Sequence, residues 1–159
     1  MEEQRIFIQM ALHSWNTQVN STTKLFEGLS DDQLMQEIAP GKNRGIYLLG
    51  HLTAYHDLMP EILGIGERTL PELSTIFLQI PDSTDAPMPS VAELRNHWKA
   101  VHERLDNAFA EIEHTDWFGR HNSMSDEDFV INPSRNKLSV LLNRTNHLSY
   151  HLGQLRLLN

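Results

Sequence analysis

Between Val91 and Ile112 the residues Val91, Leu94, Trp98, Val101, Leu105, Ala108 and Ile112 follow one another at alternating steps of three and four. That spacing draws one apolar stripe along an α-helix and does not fit a strand, whose faces alternate every second residue. Ser90 and Glu93 stand at its start as a Ser-x-x-Glu capping box. A stripe of this length is the seam of a helix packed lengthwise on neighbours, so the remaining chain has to provide other helices.

The chain supplies three more. Ile8, Leu12, Trp15, Val19, Thr22, Phe26 and Leu29 repeat the same alternation, which predicts a first helix from about Glu2 to Gly28. Ser30-Asp31-Asp32-Gln33 offers an N-cap for a short helix through Ile38, and Pro40-Gly41-Lys42-Asn43 breaks the chain. Leu48, Leu52, Tyr55, Met59 and Ile62 place a second long helix from about Arg44 into the Met59-Pro60 region, where Pro60 kinks or restarts it. The stretch 64–89 is rich in Gly, Pro, Ser, Thr and Asp and reads as a long connection, with one short helical turn near Leu73 to Gln79. It suits the crossover of a bundle or a lid. Residues 115–134 break the period again and predict a long loop, partly extended and pinned by Trp117, Phe118, Phe129, Val130 and Ile131. The last helix runs from Lys137 to Leu158. The expectation is an all-α, single-domain four-helix bundle over 1–159, with long connections between helices two and three and between helices three and four.

Composition narrows the function. Thirteen Lys and Arg stand against 21 Asp and Glu, a net charge of −8, and no basic run stands out. A nucleic-acid partner is therefore not expected. The chain has no cysteine, hence no disulfide and no thiolate of its own, and sulfur chemistry would need a cosubstrate. The acidic start Met1-Glu2-Glu3 lacks the pattern of a signal peptide, and no stretch approaches the roughly 18 apolar residues of a membrane span. A cytoplasmic protein acting on a small molecule, without membrane partners, is the expectation.

Within the last helix the octet His147-Leu148-Ser149-Tyr150-His151-Leu152-Gly153-Gln154 carries the chemistry. Histidines four apart lie about 40° apart around a helix and one turn apart along it, so both imidazoles reach one point beside it. Two ligands make no complete site, and a bundle builds metal sites from facing helices. The second long helix offers His51 and His56, on opposite flanks of its apolar stripe, and periodicity does not choose between them. His97 and His102 fall beside the seam of their helix and are weaker candidates. Arg144 lies by angle close to the apolar side near His147, where it could hold an anionic substrate. The competing reading is an arginine stem laid along the stripe with its head in water or against a carboxylate. Tyr150 lies alongside.

The chain resembles the DinB/YfiT-like family of metal-dependent four-helix-bundle proteins. The matching elements are Gly50-His51-Leu52, the closing His147-x-x-x-His151-x-Gly153-Gln154, and Trp15 in the first helix. The resemblance implies that His51, His147 and His151 form a three-histidine site for a divalent cation, nickel or zinc, with His56 a neighbour of that site or a surface residue. It also implies a homodimer, and an S-transferase of the bacillithiol, mycothiol or glutathione type acting on a small electrophile. The alternatives are a hydrolase using metal-activated water and a non-catalytic, stress-related metal-binding bundle. Under either enzymatic reading Arg144 and Tyr150 are the candidate catalytic side chains. An open coordination shell, as against one capped by His13, His56 or Gln154, separates catalysis from storage.

Overall fold

A computed structural model describes residues 2–85 and 87–158. In chain order the helices are α1 (Glu2–Gly28), α2 (Asp31–Leu34), α3 (Gly45–Asp57), α4 (Met59–Leu63), α5 (Pro71–Ser74), α6 (Val91–Ala110), α7 (Asp126–Ile131) and α8 (Lys137–Leu155). A π-helical turn follows α5 at Thr75–Gln79, and 3-10 turns lie at Asp116–Phe118 and Arg156–Leu158. The chain is all-helical, and no strand is formed among the described residues. No described helix is long and apolar enough to cross a membrane.

Local chemistry sets the boundaries. Ser30 and Ser90 cap α2 and α6, each closing a reciprocal box with Gln33 or Glu93. Helix α2 stops at Leu34, short of the expected Ile38, because residues 36 to 38 turn back to pair with Asn43 and Gly45. The break in the second long helix falls at Leu58, and Pro60 occupies the first turn of α4, where its missing N–H leaves no bond unmade. Asn136 caps α8 through a 3.0 Å bond from the Ser139 amide, so the helix starts at Lys137 as its sequence suggests.

The stripes meet as their periods require. Helix α1 packs along α8, and α3 packs against both α6 and α8. Trp15 and Phe26 of α1, Leu48, Leu49 and Leu52 of α3, Leu105 of α6 and Leu148 of α8 are all buried in one core. Helix α3 is buried along most of its length, from Gly45 through Gly50 and again at Leu52 to Ala54, His56 and Asp57. A helix covered all round carries no polar stripe.

Its remaining side is covered by the first long connection, whose Leu73 and Phe77 are fully buried. Two carboxylates, Asp82 and Asp57, hold that segment to the ends of α3. Asp82 receives the Arg44 guanidinium at 2.6 Å and the Arg44 amide at 2.7 Å. Asp57, 1% exposed, accepts the Thr69 and Leu70 amides, the Thr69 hydroxyl and Arg104. Between them the Tyr47 hydroxyl donates to the Ile80 carbonyl at 2.7 Å.

The second connection holds more helix than the expected long, partly extended loop. It forms the 3-10 turn at Asp116 and the single-layer helix α7. Trp117 is its buried anchor at 1% exposure, whereas Val130 and Ile131 stand out in solvent at 82% and 73%. Helix α7 has no buried residue, so those two side chains do not pin the segment.

Candidate metal centre

Helices α3 and α8 bring three imidazoles together. Their candidate ligand atoms all lie within 4.8 Å of one another, on His51, His147 and His151. The His147 Nε2 is 3.3 Å from His51 Nε2 and 3.1 Å from His151 Nε2. A first-row divalent cation bonded to imidazoles at about 2.0–2.1 Å places adjacent ligand nitrogens about 2.9–3.4 Å apart.

The hydrogen bonds behind the rings decide what these nitrogens offer. His51 Nδ1–H donates to the Phe77 carbonyl at 2.9 Å, so its Nε2 carries a lone pair. His151 Nδ1–H donates to the Gln154 side-chain oxygen at 2.7 Å, with the same result. Both lone pairs face His147 Nε2, which as a donor could satisfy only one of them. A cation accepts all three. The His147 Nδ1 is buried with no partner, in keeping with a ring placed by its Nε2 side. The residues present therefore fit a divalent metal ion.

Burial keeps these ligands neutral. Desolvation pushes each imidazole below its ordinary value, His147 to about 4, with the other rings and Arg144 adding to the effect there. At pH 7 all three present lone pairs rather than charges. His51 and His147 are only half-buried, so one side of the trio opens outward.

Gly50 explains part of the arrangement. A Cβ at this position would run into the ring of Phe77, the residue whose carbonyl orients His51. Gly50→Ala is expected to cost about 1–3 kcal/mol through overpacking and to weaken zinc binding by displacing that carbonyl. Urea unfolding and a zinc titration on the same variant check both effects, and an unchanged zinc affinity would separate Phe77 from the orientation of His51. Gly153 is different: a Cβ there meets open space, so no steric constraint calls for glycine.

The sequence profile of the DinB superfamily matches residues 15–155, a span that includes α3, α6, α8 and all three imidazoles. The chain belongs to the DinB superfamily. A crystal structure of a DinB-like protein from Bacillus cereus is similar to it, with a TM-score of 0.58 and 23% identity over 93% of this chain and 89% of that one. At that identity the likeness concerns the fold. None of the curated proteins matches the chain.

The other histidine of α3 in this DinB protein is neither at the surface nor in the trio. His56 is fully buried, and its Nδ1 lies 2.9 Å from His102 Nε2 on α6. His102 Nδ1–H donates to the Trp98 carbonyl at 2.8 Å, so the His56 Nδ1–H is the donor between the two rings. Trp15 packs its ring 4.8 Å from His56. Sequence reasoning gave His102 little weight, since its angle on α6 lies beside the seam and only the adjacent α3 and Trp15 bury it.

Burial holds His102 at about 4 and His56 well below its ordinary value. A histidine whose folded value is lowered stabilises the fold fully above its unfolded value of about 6.5 and loses that contribution as pH falls toward 4. His102 alone is expected to remove about 3 kcal/mol between pH 6.5 and pH 4. Urea midpoints of the metal-free protein across that range measure it, and a flat profile would contradict the buried neutral pair.

The two candidate catalytic side chains occupy different settings. The Arg144 guanidinium lies 4.7 Å over the Tyr55 ring, and its Nε is buried with no partner. It makes no ion pair with any described carboxylate, so the carboxylate-bound form of the stem-along-the-stripe alternative is not the one observed. Tyr150 is 65% exposed, and its hydroxyl accepts a bond from the Gln154 amide at 3.1 Å. Tyr55, which the sequence assigned only to the apolar stripe, packs its ring 4.8 Å from His51 and 4.9 Å from His147.

Proposed function

We propose that this chain is a divalent-metal-dependent enzyme built on a four-helix bundle, and that it transfers a low-molecular-weight thiol to a small electrophile. The supporting observation is the convergence of three imidazoles without a fourth protein ligand among the described residues. His56 is engaged with His102, Gln154 holds His151 from behind, and His13 is exposed on α1, so none of the three caps the centre. Three protein ligands with open positions are the pattern of a catalytic cation.

His51, His147 and His151 would hold zinc or nickel, both suited to neutral imidazoles. When bound, the cation supplies Lewis acidity, which lowers the pKa of an approaching thiol from about 8.5 toward neutrality. The chain has no cysteine, so that thiol comes from the cosubstrate. The Phe77 carbonyl and Gln154 fix two of the rings, which keeps the lone pairs aimed at one point. In the transfer a sulfur–carbon bond forms as the bond to the leaving group breaks; the leaving group takes its electron pair and the thiol proton passes to solvent. Arg144 carries the positive charge beside the trio that would anchor an anionic substituent. Hydrolysis at the same centre needs a general base, and no carboxylate belongs to the cluster.

Thiol consumption with monobromobimane tests the reading. Zinc- or nickel-loaded protein is expected to accelerate the reaction of a cellular low-molecular-weight thiol, and chelation or His51→Ala to abolish the acceleration. Equal rates with and without metal for every thiol tried would overturn it.

A further inference from the structure

Six arginines of this chain pair with carboxylates: Arg5, Arg44, Arg68, Arg95, Arg104 and Arg120. Among the described residues Arg135, Arg144 and Arg156 do not. Two of those three, Arg135 and Arg144, line one cavity of about 450 Å³, a size that takes a small molecule. For a protein of net charge −8, two uncompensated guanidiniums in one cavity call for an occupant.

The other walls point the same way. His121, Ser123, Ser139 and Asn143 add polar groups, and none of the lining residues is acidic. His121 is only 7% exposed, and its Nδ1 is buried without a partner. The buried Nε of Arg144 lacks one as well. Orphaned nitrogens of this kind carry a desolvation cost unless something bonds to them. The charge of Arg135 also faces His121 and, after burial, helps to hold the imidazole below its ordinary value. The cavity therefore gathers donors and positive charge with no acceptor of matching charge.

We propose that this cavity binds an oxyanion, a carboxylate or phosphate group carried by the substrate, through Arg144, Arg135 and His121. Guanidinium forks match planar carboxylates and phosphates in a way a point charge does not. The cavity adjoins the three imidazoles through Tyr55, whose ring lies under the Arg144 guanidinium and against both His51 and His147. Its meaning as a substrate pocket rests on the metal-dependent reading above; its anion binding does not.

The test uses metal-free full-length protein, titrated with inorganic phosphate and separately with acetate at constant ionic strength in chloride. The His121 imidazole resonances are the readout. A saturating shift is expected with at least one anion; the tighter one identifies the group as phosphate-like or carboxylate-like. Arg135→Gln and Arg144→Gln should each weaken it about tenfold, and Arg156→Gln should leave it unchanged. Arg135 is exposed, so its variant keeps the fold even if that of Arg144 does not. No saturation with either anion, or the same affinity in Arg135→Gln as in the unaltered chain, would overturn the proposal. The triple His51, His147 and His151 to Ala variant separates the two readings: it should lose metal and still bind the anion. Anion binding without thiol activity would defeat the enzymatic reading alone, and thiol activity without anion binding would defeat this one alone.

Discussion

Replacing His51, His147 and His151 together with Ala abolishes stoichiometric zinc or nickel binding, the largest effect expected of any substitution in this chain. Even a single change at His147, whose Nε2 sits 3.3 and 3.1 Å from the other two, should weaken the affinity at least about a hundredfold. Altering groups that merely orient ligands already costs 10–100-fold, and a lost ligand costs more. The unaltered protein should gain stability from the metal by simple mass action. At a thousandfold excess over the dissociation constant the gain is about 4 kcal/mol, or about 8–16 °C in Tm for a domain of this size. Metal analysis after dialysis of untagged protein, beside thermal unfolding with and without zinc, checks both expectations. A triple variant that keeps one equivalent of metal would show that the cation binds elsewhere.

Asp57→Ala should be the most damaging change away from the metal. The carboxylate is 1% exposed and gathers the Thr69 and Leu70 amides, the Thr69 hydroxyl and the Arg104 guanidinium at 2.5 Å. Removing it takes the shared acceptor from these part-buried donors and frees the start of the connection that covers α3. The expected loss is about 3–5 kcal/mol, or roughly 10 °C in Tm. Asp57→Asn, which keeps one carbonyl acceptor, should lose less. Urea unfolding measures both; equal stability in all three proteins would mean that the connection holds to α3 without the Asp57 carboxylate, through Leu73, Phe77 and the Arg44–Asp82 pair.

How much of this was legible before folding differs from residue to residue. The three-four alternation of Val91 to Ile112 marked α6 because a 3.6-residue period is a property of the helix itself. The pair His147 and His151 was legible for the same reason, since i, i+4 proximity needs no other part of the chain. Arg144 was visible as an angle beside the apolar stripe, but not as a guanidinium without a carboxylate. The choice between His51 and His56 was not legible from periodicity. Helix α3 is covered on nearly every side, so both of its flanks are interior and the angle of a histidine no longer says what it meets. His51 turns toward α8 and His56 toward α6. Val130 and Ile131 show the opposite error, two apolar side chains left in solvent on a short helix with no buried face.

By itself the sequence determined the long helices, the caps of α2 and α6 and the chelating spacing on α8, because these depend on residues within a turn or two of one another. The tertiary structure decided what lies between helices. It put His51 at 3.3 Å from His147, set the Phe77 carbonyl behind it, buried Asp57 under residues 69 and 70, and left Arg144 and Arg135 facing one cavity. Those meetings join residues far apart in the chain, and no local period encodes them; the packing of one covered helix against several neighbours does.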